Sequence, residues 1–241
     1  MNVAELLDDV PGRALAVYAH PDDPEVSCAG TLCRWTDAGA EVHLVICNAG
    51  DKGSFDPDAD PADLARERAE EVAAAAALMG LAGHEILGYP DGEVENTADV
   101  RARLVGHIRA WRPDVVVAPD PTAVFFADAY VNHHDHRAVG WATLDACAPM
   151  AAHPLYFPEA GAAHRVTSVL LSGTLDPDCW VDIAETLDAK VAAVRCHRSQ
   201  LADGEVGEAV VDEIVRARAE EAGRAAGVRF AEGFRRLLLA P

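Results

Sequence analysis

The chain has 241 residues, half of them hydrophobic, and carries a formal net charge of −20 at pH 7. That length suits one α/β domain with a sizeable core, and we expect a single domain over residues 1–241. The 40 acidic residues against 20 basic ones argue against nucleic acid or an anionic membrane as a partner, since both need concentrated lysine and arginine.

Short apolar strands alternate with longer helical patterns along the chain. Strands are predicted at 13–19, 41–47, 85–89, 115–118 and 165–172, and helices at 27–38, 61–79, 97–111, 135–150, 183–198 and 208–222. This alternation predicts a Rossmann-like α/β fold with a mainly parallel sheet and helices on both faces. The active site is then expected at the carboxyl ends of the strands. Near the C-terminus, Arg235 and Arg236 are interpreted as solvated charges of a helix.

Sequence features also bear on the compartment. No apolar run approaches the ~20 residues that span a bilayer, and Met1–Glu5 lack the basic and apolar parts of a signal peptide. We therefore expect a cytoplasmic protein. The six cysteines show no C-x-x-C spacing, which argues against a disulfide framework or a structural zinc site.

The turn His20–Glu25 follows the first predicted strand and holds one imidazole and three carboxylates. A phosphate site would need glycines and free backbone N–H groups, whereas these carboxylates repel an anion and attract a cation. Asp23 suits the N-cap of the following helix and Pro24 its first position. The turn therefore has the composition of a metal site at a helix start.

A second cluster, Asn132–His136, follows the predicted strand 115–118. Three protein ligands plus an open, water-filled position are the usual plan of a catalytic zinc site. His20 and Asp23 can converge across a tight turn, and one histidine of the second cluster supplies the third ligand. A carboxylate that lies beside the metal without binding it can take the proton of the water. Because Asp22 and Asp23 are adjacent, one of them can bind the metal while the other accepts the proton.

These motifs resemble those of the LmbE-like, or PIG-L-type, family of zinc-dependent N-deacetylases. The resemblance rests on His-Pro-Asp-Asp-x-Glu at 20–25 and His-x-Asp-His at 133–136, and it spans about residues 13–235. Further motifs agree in order: Gly50-Asp51-Lys52-Gly53, Arg68-x-x-Glu71, Tyr89-Pro90-Asp91-Gly92 and His197-x-Ser199-Gln200.

The resemblance implies that His20, Asp23 and His136 bind one zinc ion per chain, with another divalent metal such as Fe²⁺ as the alternative. It implies that Asp22 is the general base. It also implies that His133 either stabilises the oxyanion or protonates the leaving amine.

Further roles follow from the same resemblance. Asp135 would orient or tune His133, and Arg68 and Asp91 would contact the sugar. His134 stands where many relatives have proline, and its role, like that of His197, is left open.

The expected activity is hydrolytic removal of an N-acetyl or other N-acyl group from an amino sugar or its glycoside. Three alternatives are an amidase of thiol S-conjugates, an iron(II) oxygenase with two histidines and one carboxylate, and a nucleotide-binding module. The last lacks the G-x-G-x-x-G motif after the first strand. The expected partner is a small N-acetylated molecule, not nucleic acid or membrane, and a homo-oligomer is compatible with the sequence.

Overall fold

A computed structural model describes residues 5–202 and 208–239. Its strands are β1 (Glu5–Leu6), β2 (Arg13–Tyr18), β3 (Glu41–Asn48), β4 (Gly83–Tyr89), β5 (Val115–Pro119), β6 (Phe125–Phe126), β7 (Tyr130–Val131), β8 (Ser168–Ser172), β9 (Cys179–Asp182) and β10 (Ala231–Leu238). Its helices are α1 (Asp23–Asp37), α2 (Pro61–Leu78), α3 (Ala98–Trp111), α4 (His134–Asp145), α5 (Leu187–Val194), α6 (Arg198–Ala202) and α7 (Glu208–Ala226). A π-helical turn, Ala146–Met150, continues α4.

Eight strands form one sheet in the order β1-β9-β10-β8-β5-β2-β3-β4, and β6 pairs with β7 in a separate hairpin. The run β8-β5-β2-β3-β4 is parallel throughout, whereas β10 is antiparallel to both β8 and β9. The predicted α/β fold with a mainly parallel sheet is confirmed.

Strand β2 is buried on both faces, as is typical of parallel strands covered by helices. Ala14, Ala16 and Tyr18 face a core shared with α1, α2, α5 and α7. Leu15 and Val17 face a second core shared with α3 and α4. Because side chains alternate between the two faces of a strand, this one strand joins both helical layers, and helices cover both faces as predicted.

The C-terminal third departs from the prediction. The predicted helix 183–198 is a shorter helix, α5, followed by the separate α6. The sequence pattern does not predict β9 or β10. Arg235 and Arg236 lie on β10, so their interpretation as helix charges is wrong, and Arg236 Nη2 donates to both carboxylate oxygens of Glu5 at 2.7 Å.

All six cysteines lie in the described part of the chain and are unpaired. Among the described residues, no helix is both long and apolar enough to cross a membrane. The single-domain prediction also covers residues 1–4, 203–207 and 240–241, which lie outside the described residues. Most of the segment Met1–Glu5, which was compared above with a signal peptide, lies outside them too.

Candidate active site

Two segments at the carboxyl edge of the parallel strands carry the candidate site. The turn after β2 leads into α1, and the segment after the β6–β7 hairpin leads into α4, with His133 at its N-cap. Because β2 and β5 are parallel neighbours, the residues that follow their ends lie at the same edge of the sheet.

Helix α1 begins at Asp23, with Asp22 at the N-cap. The predicted N-cap, Asp23, is therefore wrong by one residue. The Asp23 carboxylate accepts a hydrogen bond from the backbone N–H of His20 at 2.8 Å instead of capping the helix. This bond closes the turn and holds the carboxylate beside the imidazole of His20.

Three side chains converge within this turn and the start of α4. His20 Nδ1 lies 3.3 Å from Asp23 Oδ2 and 3.1 Å from His136 Nε2, and His136 Nε2 lies 3.1 Å from Asp23 Oδ1. Ligand atoms bound tetrahedrally at zinc distances of about 2.0–2.1 Å are about 3.4 Å apart. We call His20, Asp23 and His136 the metal triad, because their spacing fits one divalent cation.

The outer nitrogens of both histidines already have acceptors. His20 Nε2 lies 3.0 Å from Asp91 Oδ1, and His136 Nδ1 lies 2.8 Å from Asn132 Oδ1. Asn132 Nδ2 donates to the carbonyl of Ala123, so the amide oxygen is the atom that faces His136. Each ring can therefore carry its proton on the outer side and turn a lone pair toward Asp23, the orientation that metal-binding histidines adopt.

The electrostatics of the triad favour a positive charge. Burial alone would lower the pKa of His20, but hydrogen bonds to Asp135, Asp23 and Asp91 raise it to about 12. Burial alone would raise the pKa of Asp23, but His136 and His20 hold it well below its usual value. A proton or a divalent cation can supply this charge, and binding of the cation would release the proton.

Asp22 lies beside the triad without belonging to it. Its side chain is 29% exposed, and Oδ2 accepts a hydrogen bond from Arg68 Nη2 at 3.3 Å. Burial and the charge of Asp23 raise the pKa of Asp22 to about 7, against the opposing effect of Arg68. A carboxylate in this range can accept a proton near neutral pH.

His133 presents one defined tautomer to the site. Its Nδ1 accepts the backbone N–H of Asp135 at 3.2 Å, so the neutral ring carries its proton on Nε2. The ring stands edge-on to that of His20, with the centroids 4.5 Å apart. Burial and the nearby charge of His20 lower the pKa of His133, which favours the neutral form.

Asp135 is fully buried, and its side-chain hydrogen bonds run to residues other than His133, although one carboxylate oxygen lies within 4.8 Å of a His133 ring nitrogen. Its carboxylate accepts hydrogen bonds from Asn48 Nδ2 and from the backbone N–H of Gly92 and Val94. It lies 3.6 Å from His20 Nε2. Its link to His133 runs through its backbone N–H and through its charge, which raises the pKa of His133.

The two predicted sugar contacts lie beneath the site. Asp91 is 8% exposed and bonds to His20, while Arg68 is 3% exposed and bonds to Asp22 and to backbone carbonyls. His134 lies outside the triad, half-exposed, with Nε2 3.3 Å from Glu95. His197 is buried, 3.2 Å from Glu25 of α1.

Sequence reasoning gives no role to two residues that hold the site together. Asn132 orients His136, and Asn48 bonds the Asp135 carboxylate. One signal for Asn48 is its place as the polar last residue of a strand whose preceding residues, Leu44–Cys47, are all apolar and buried.

Comparisons with known proteins show which family the chain belongs to. Residues 15–147 match the family described as PIG-L, GlcNAc-PI de-N-acetylase. The chain belongs to the PIG-L, or LmbE-like, family. The matched range contains the metal triad, Asp22, His133 and Asp135, together with Arg68 and Asp91, so every predicted site residue lies on the part of the chain that carries the family match.

Two relatives in this family resemble the chain over most of its length. It is 31% identical to diacetylchitobiose deacetylase of Thermococcus kodakarensis over 238 residues, covering 97% of this chain and 86% of the relative. It is 29% identical to 1D-myo-inositol 2-acetamido-2-deoxy-alpha-D-glucopyranoside deacetylase of Actinosynnema mirum, covering 79% and 81%. The solved structure of N,N′-diacetylchitobiose deacetylase from Pyrococcus horikoshii has a TM-score of 0.85 at 29% identity, covering 95% of this chain and 84% of that one.

Proposed function

We propose that this PIG-L family protein is a metal-dependent hydrolase that removes an N-acetyl group from an amino sugar or its glycoside. The observation that carries the proposal is the metal triad with the separate carboxylate of Asp22 beside it. The two relatives named above are deacetylases of N-acetylated amino sugars, which supports the same class of reaction here.

The resident metal in this proposal is one zinc ion per chain. His20 Nδ1, His136 Nε2 and one oxygen of Asp23 would hold it, and two nitrogens with one oxygen are a donor set of catalytic zinc sites. When bound, the zinc lowers the pKa of a bound water to about 7 and polarises the amide carbonyl. Asp91 and Asn132 would keep both rings in the ligating orientation.

Asp22 would take the proton of the attacking water and return it to the leaving amine as the C–N bond breaks. Its carboxylate is not needed for coordination, so its lone pairs stay free for a proton. Arg68 holds it at 3.3 Å from the side away from solvent.

His133 would donate its Nε2–H to the developing oxyanion. We favour this role over protonation of the leaving amine, because Nδ1 accepts the backbone N–H of Asp135 and the neutral ring therefore carries its proton on Nε2. Asp135 would keep the ring in this tautomer through its backbone N–H.

The substrate is a small N-acetylated molecule, and binding of its hydroxyls by Arg68 and Asp91 stays a prediction from the family resemblance. We do not favour the iron(II) oxygenase alternative, since the relatives named above are deacetylases. An amidase of thiol S-conjugates would use the same residues and chemistry on a different substrate, and the assay below therefore includes such a substrate.

Acetate release from purified, zinc-loaded protein tests the proposal. The panel contains N-acetylglucosamine, N,N′-diacetylchitobiose, an N-acetylglucosaminyl-inositol glycoside and an N-acetylated thiol S-conjugate. We expect equal amounts of acetate and free amine from at least one amino sugar, and a strong loss of this release in Asp22→Asn. A zinc-loaded protein that releases no acetate from any amino sugar would contradict the proposal.

A further inference from the structure

We propose that His197 is a positioning residue, which fixes the first turn of α1 through the carboxylate of Glu25. That turn carries the metal ligand Asp23, and Asp22 directly precedes it. The inference rests on the proposed function, in which one of these aspartates binds the zinc and the other accepts the proton. It gives a task to a C-terminal residue that lies outside residues 15–147, the range of the family match.

His197 and Glu25 form an ion pair inside the protein. Nε2 of His197 lies 3.2 Å from Oε2 of Glu25, and each side chain is 1% exposed. A buried carboxylate is strongly unfavourable unless a cation or a set of hydrogen bonds compensates its charge. In the part of the chain that the structure describes, His197 is the only cationic group within 4.0 Å of this carboxylate. The burial of Glu25 therefore depends on His197.

The attraction between the two charges holds this pair together. Neither oxygen of Glu25 and neither ring nitrogen of His197 makes a regular hydrogen bond to a described residue. Burial alone would lower the pKa of His197, but Glu25, followed by Asp22 and Glu71, raises it above its usual value, which favours the charged ring. The pair thus joins an imidazolium from the C-terminal region to a carboxylate of α1.

The first turn of α1 has no side-chain cap, so this contact matters for its position. Glu25 is the third residue of the helix, from which a glutamate commonly reaches back to the N-cap, but its carboxylate makes no such bond. Asp22, at the N-cap, makes no capping bond either. The ion pair with His197 instead anchors the turn to the segment between α5 and α6.

His197 is held in place by its own neighbours. Its backbone N–H donates to the carbonyl of Val194 in α5 at 3.1 Å, and its carbonyl accepts the N–H of Gln200 at 3.1 Å. Ser199 donates its backbone N–H and its hydroxyl to the carboxylate of Glu71 in α2, both at 2.7 Å. The ring is therefore fixed relative to α2 and α5, and from there it can set the position of the α1 turn.

The burial of His197 argues against a direct role in binding or catalysis. Its side chain is too deeply buried to touch a substrate, and it belongs to neither group of possible metal ligands among the described residues. Its effect on the site therefore passes through Glu25, two residues after Asp23. Without the imidazolium, the Glu25 carboxylate would be a buried, unpaired charge, and the turn would shift to bring it to water. A shift of about 1 Å in a catalytic group can lower the rate about 100-fold.

Four variants test the inference. His197→Ala removes the imidazolium, Glu25→Gln removes the buried charge but keeps the shape, and a double variant combines both changes. His43→Ala is the matched control, because His43 also pairs with a glutamate, Glu41, at 2.9 Å. That pair lies near the start of β3, at the opposite end of the strands from the site. For each protein, the zinc dissociation constant is measured by competition with a chelator, together with kcat and KM for acetate release and the melting temperature.

We expect His197→Ala to raise the zinc dissociation constant and to lower kcat, each about 10- to 100-fold, with KM within about threefold. Glu25→Gln should cause a smaller loss, because it leaves no unpaired carboxylate. In the Glu25→Gln background, His197→Ala should change either constant by less than about twofold, because the two residues act as one unit. His43→Ala should keep the zinc affinity and kcat of the wild type even where its melting temperature falls.

Three results would overturn the inference. They are wild-type zinc affinity and kcat in His197→Ala, the same loss from His197→Ala with and without Glu25→Gln, and an equal loss of zinc affinity in His43→Ala, which would show general destabilisation. If His197→Ala does not fold, Glu25→Gln decides, since it breaks the same ion pair without leaving a buried charge. Zinc affinity and kcat that are both unchanged in Glu25→Gln would then overturn the inference.

The zinc measurement separates this inference from the proposed function, because it needs no substrate. Absence of amino-sugar deacetylation by the zinc-loaded wild type would reject the proposed function. The zinc dissociation constants would still decide whether His197 positions the α1 turn and its ligand Asp23.

Discussion

At the residue scale, each histidine of the metal triad is oriented by an acceptor behind it. Asp91 accepts from His20 at 3.0 Å and Asn132 accepts from His136 at 2.8 Å. Loss of such partners typically weakens metal affinity by about 10–100-fold. His134 instead lies beside Glu95. His134 and His136 therefore have different surroundings, although they are only two residues apart in the chain.

The His136→Ala protein is expected to lose its metal, because one of three converging ligand atoms is removed. His134→Ala is the matched control and should keep the wild-type content. Elemental analysis of both proteins, purified in parallel with the wild type, makes the comparison. Full metal in His136→Ala together with depletion in His134→Ala would reassign the ligand.

Asp22→Asn is expected to keep most of the metal while turnover falls by about 10²–10⁴, the usual contribution of a positioned acid–base group. The amide is isosteric with the carboxylate but cannot accept the proton. Steady-state kinetics and metal content are measured on the same preparation. Turnover like that of the wild type with metal bound would rule out Asp22 as the base.

At the element scale, the sequence predicts a helix or strand well when the residues that determine it lie within or next to that element. The helix predicted at 61–79 corresponds to α2. Its start is a local signal, since the Asp60 side chain accepts hydrogen bonds from the backbone N–H groups of Ala62 and Asp63. The sequence does not predict strand β10, because its charged residues interrupt the alternation of apolar and polar residues that is typical of a strand. Glu232 on this strand is buried against Lys190 and Thr31, contacts between residues that are distant in the chain and that no local pattern contains.

The same limit explains which part of the site was open to prediction. Both clusters could be recognised from residue type alone, but the choice between His134 and His136 depends on where α4 begins. At 3.6 residues per turn, these two side chains point about 200° apart, so only the position of the helix relative to β2 decides which one reaches His20.

Helix α1, which carries Asp23, packs closely on the segment before α5. A Cβ at Gly30 would lie 2.9 Å from three side-chain atoms of Ile183. Gly30→Ala should therefore lower the free energy of unfolding by about 1–3 kcal/mol, or roughly 2–12 °C in melting temperature for this chain length. Gly106→Ala, in open space, should leave stability unchanged or raise it by up to about 1 kcal/mol. Calorimetry checks this, and equal melting temperatures for Gly30→Ala and the wild type would disprove the close packing.

At the scale of the whole molecule, the net charge of −20 acts together with the aspartates of the site. Like charges repel an anionic substrate and slow its association. We expect kcat/KM for a sulfated N-acetyl amino sugar to be about tenfold below that of its neutral parent at low salt. The gap should narrow at high ionic strength, because the Debye length falls from about 30 Å at 0.01 M to about 3 Å at 1 M. A ratio that does not change with salt would contradict this electrostatic account.

The most direct test of the central claim is a zinc titration of metal-free protein followed by acetate release. The metal triad predicts that the rate with an N-acetylated amino sugar rises linearly with added zinc and stops rising at one equivalent per chain. Acetate release from the metal-free protein at the same rate, or none at one bound equivalent of zinc, would contradict the account.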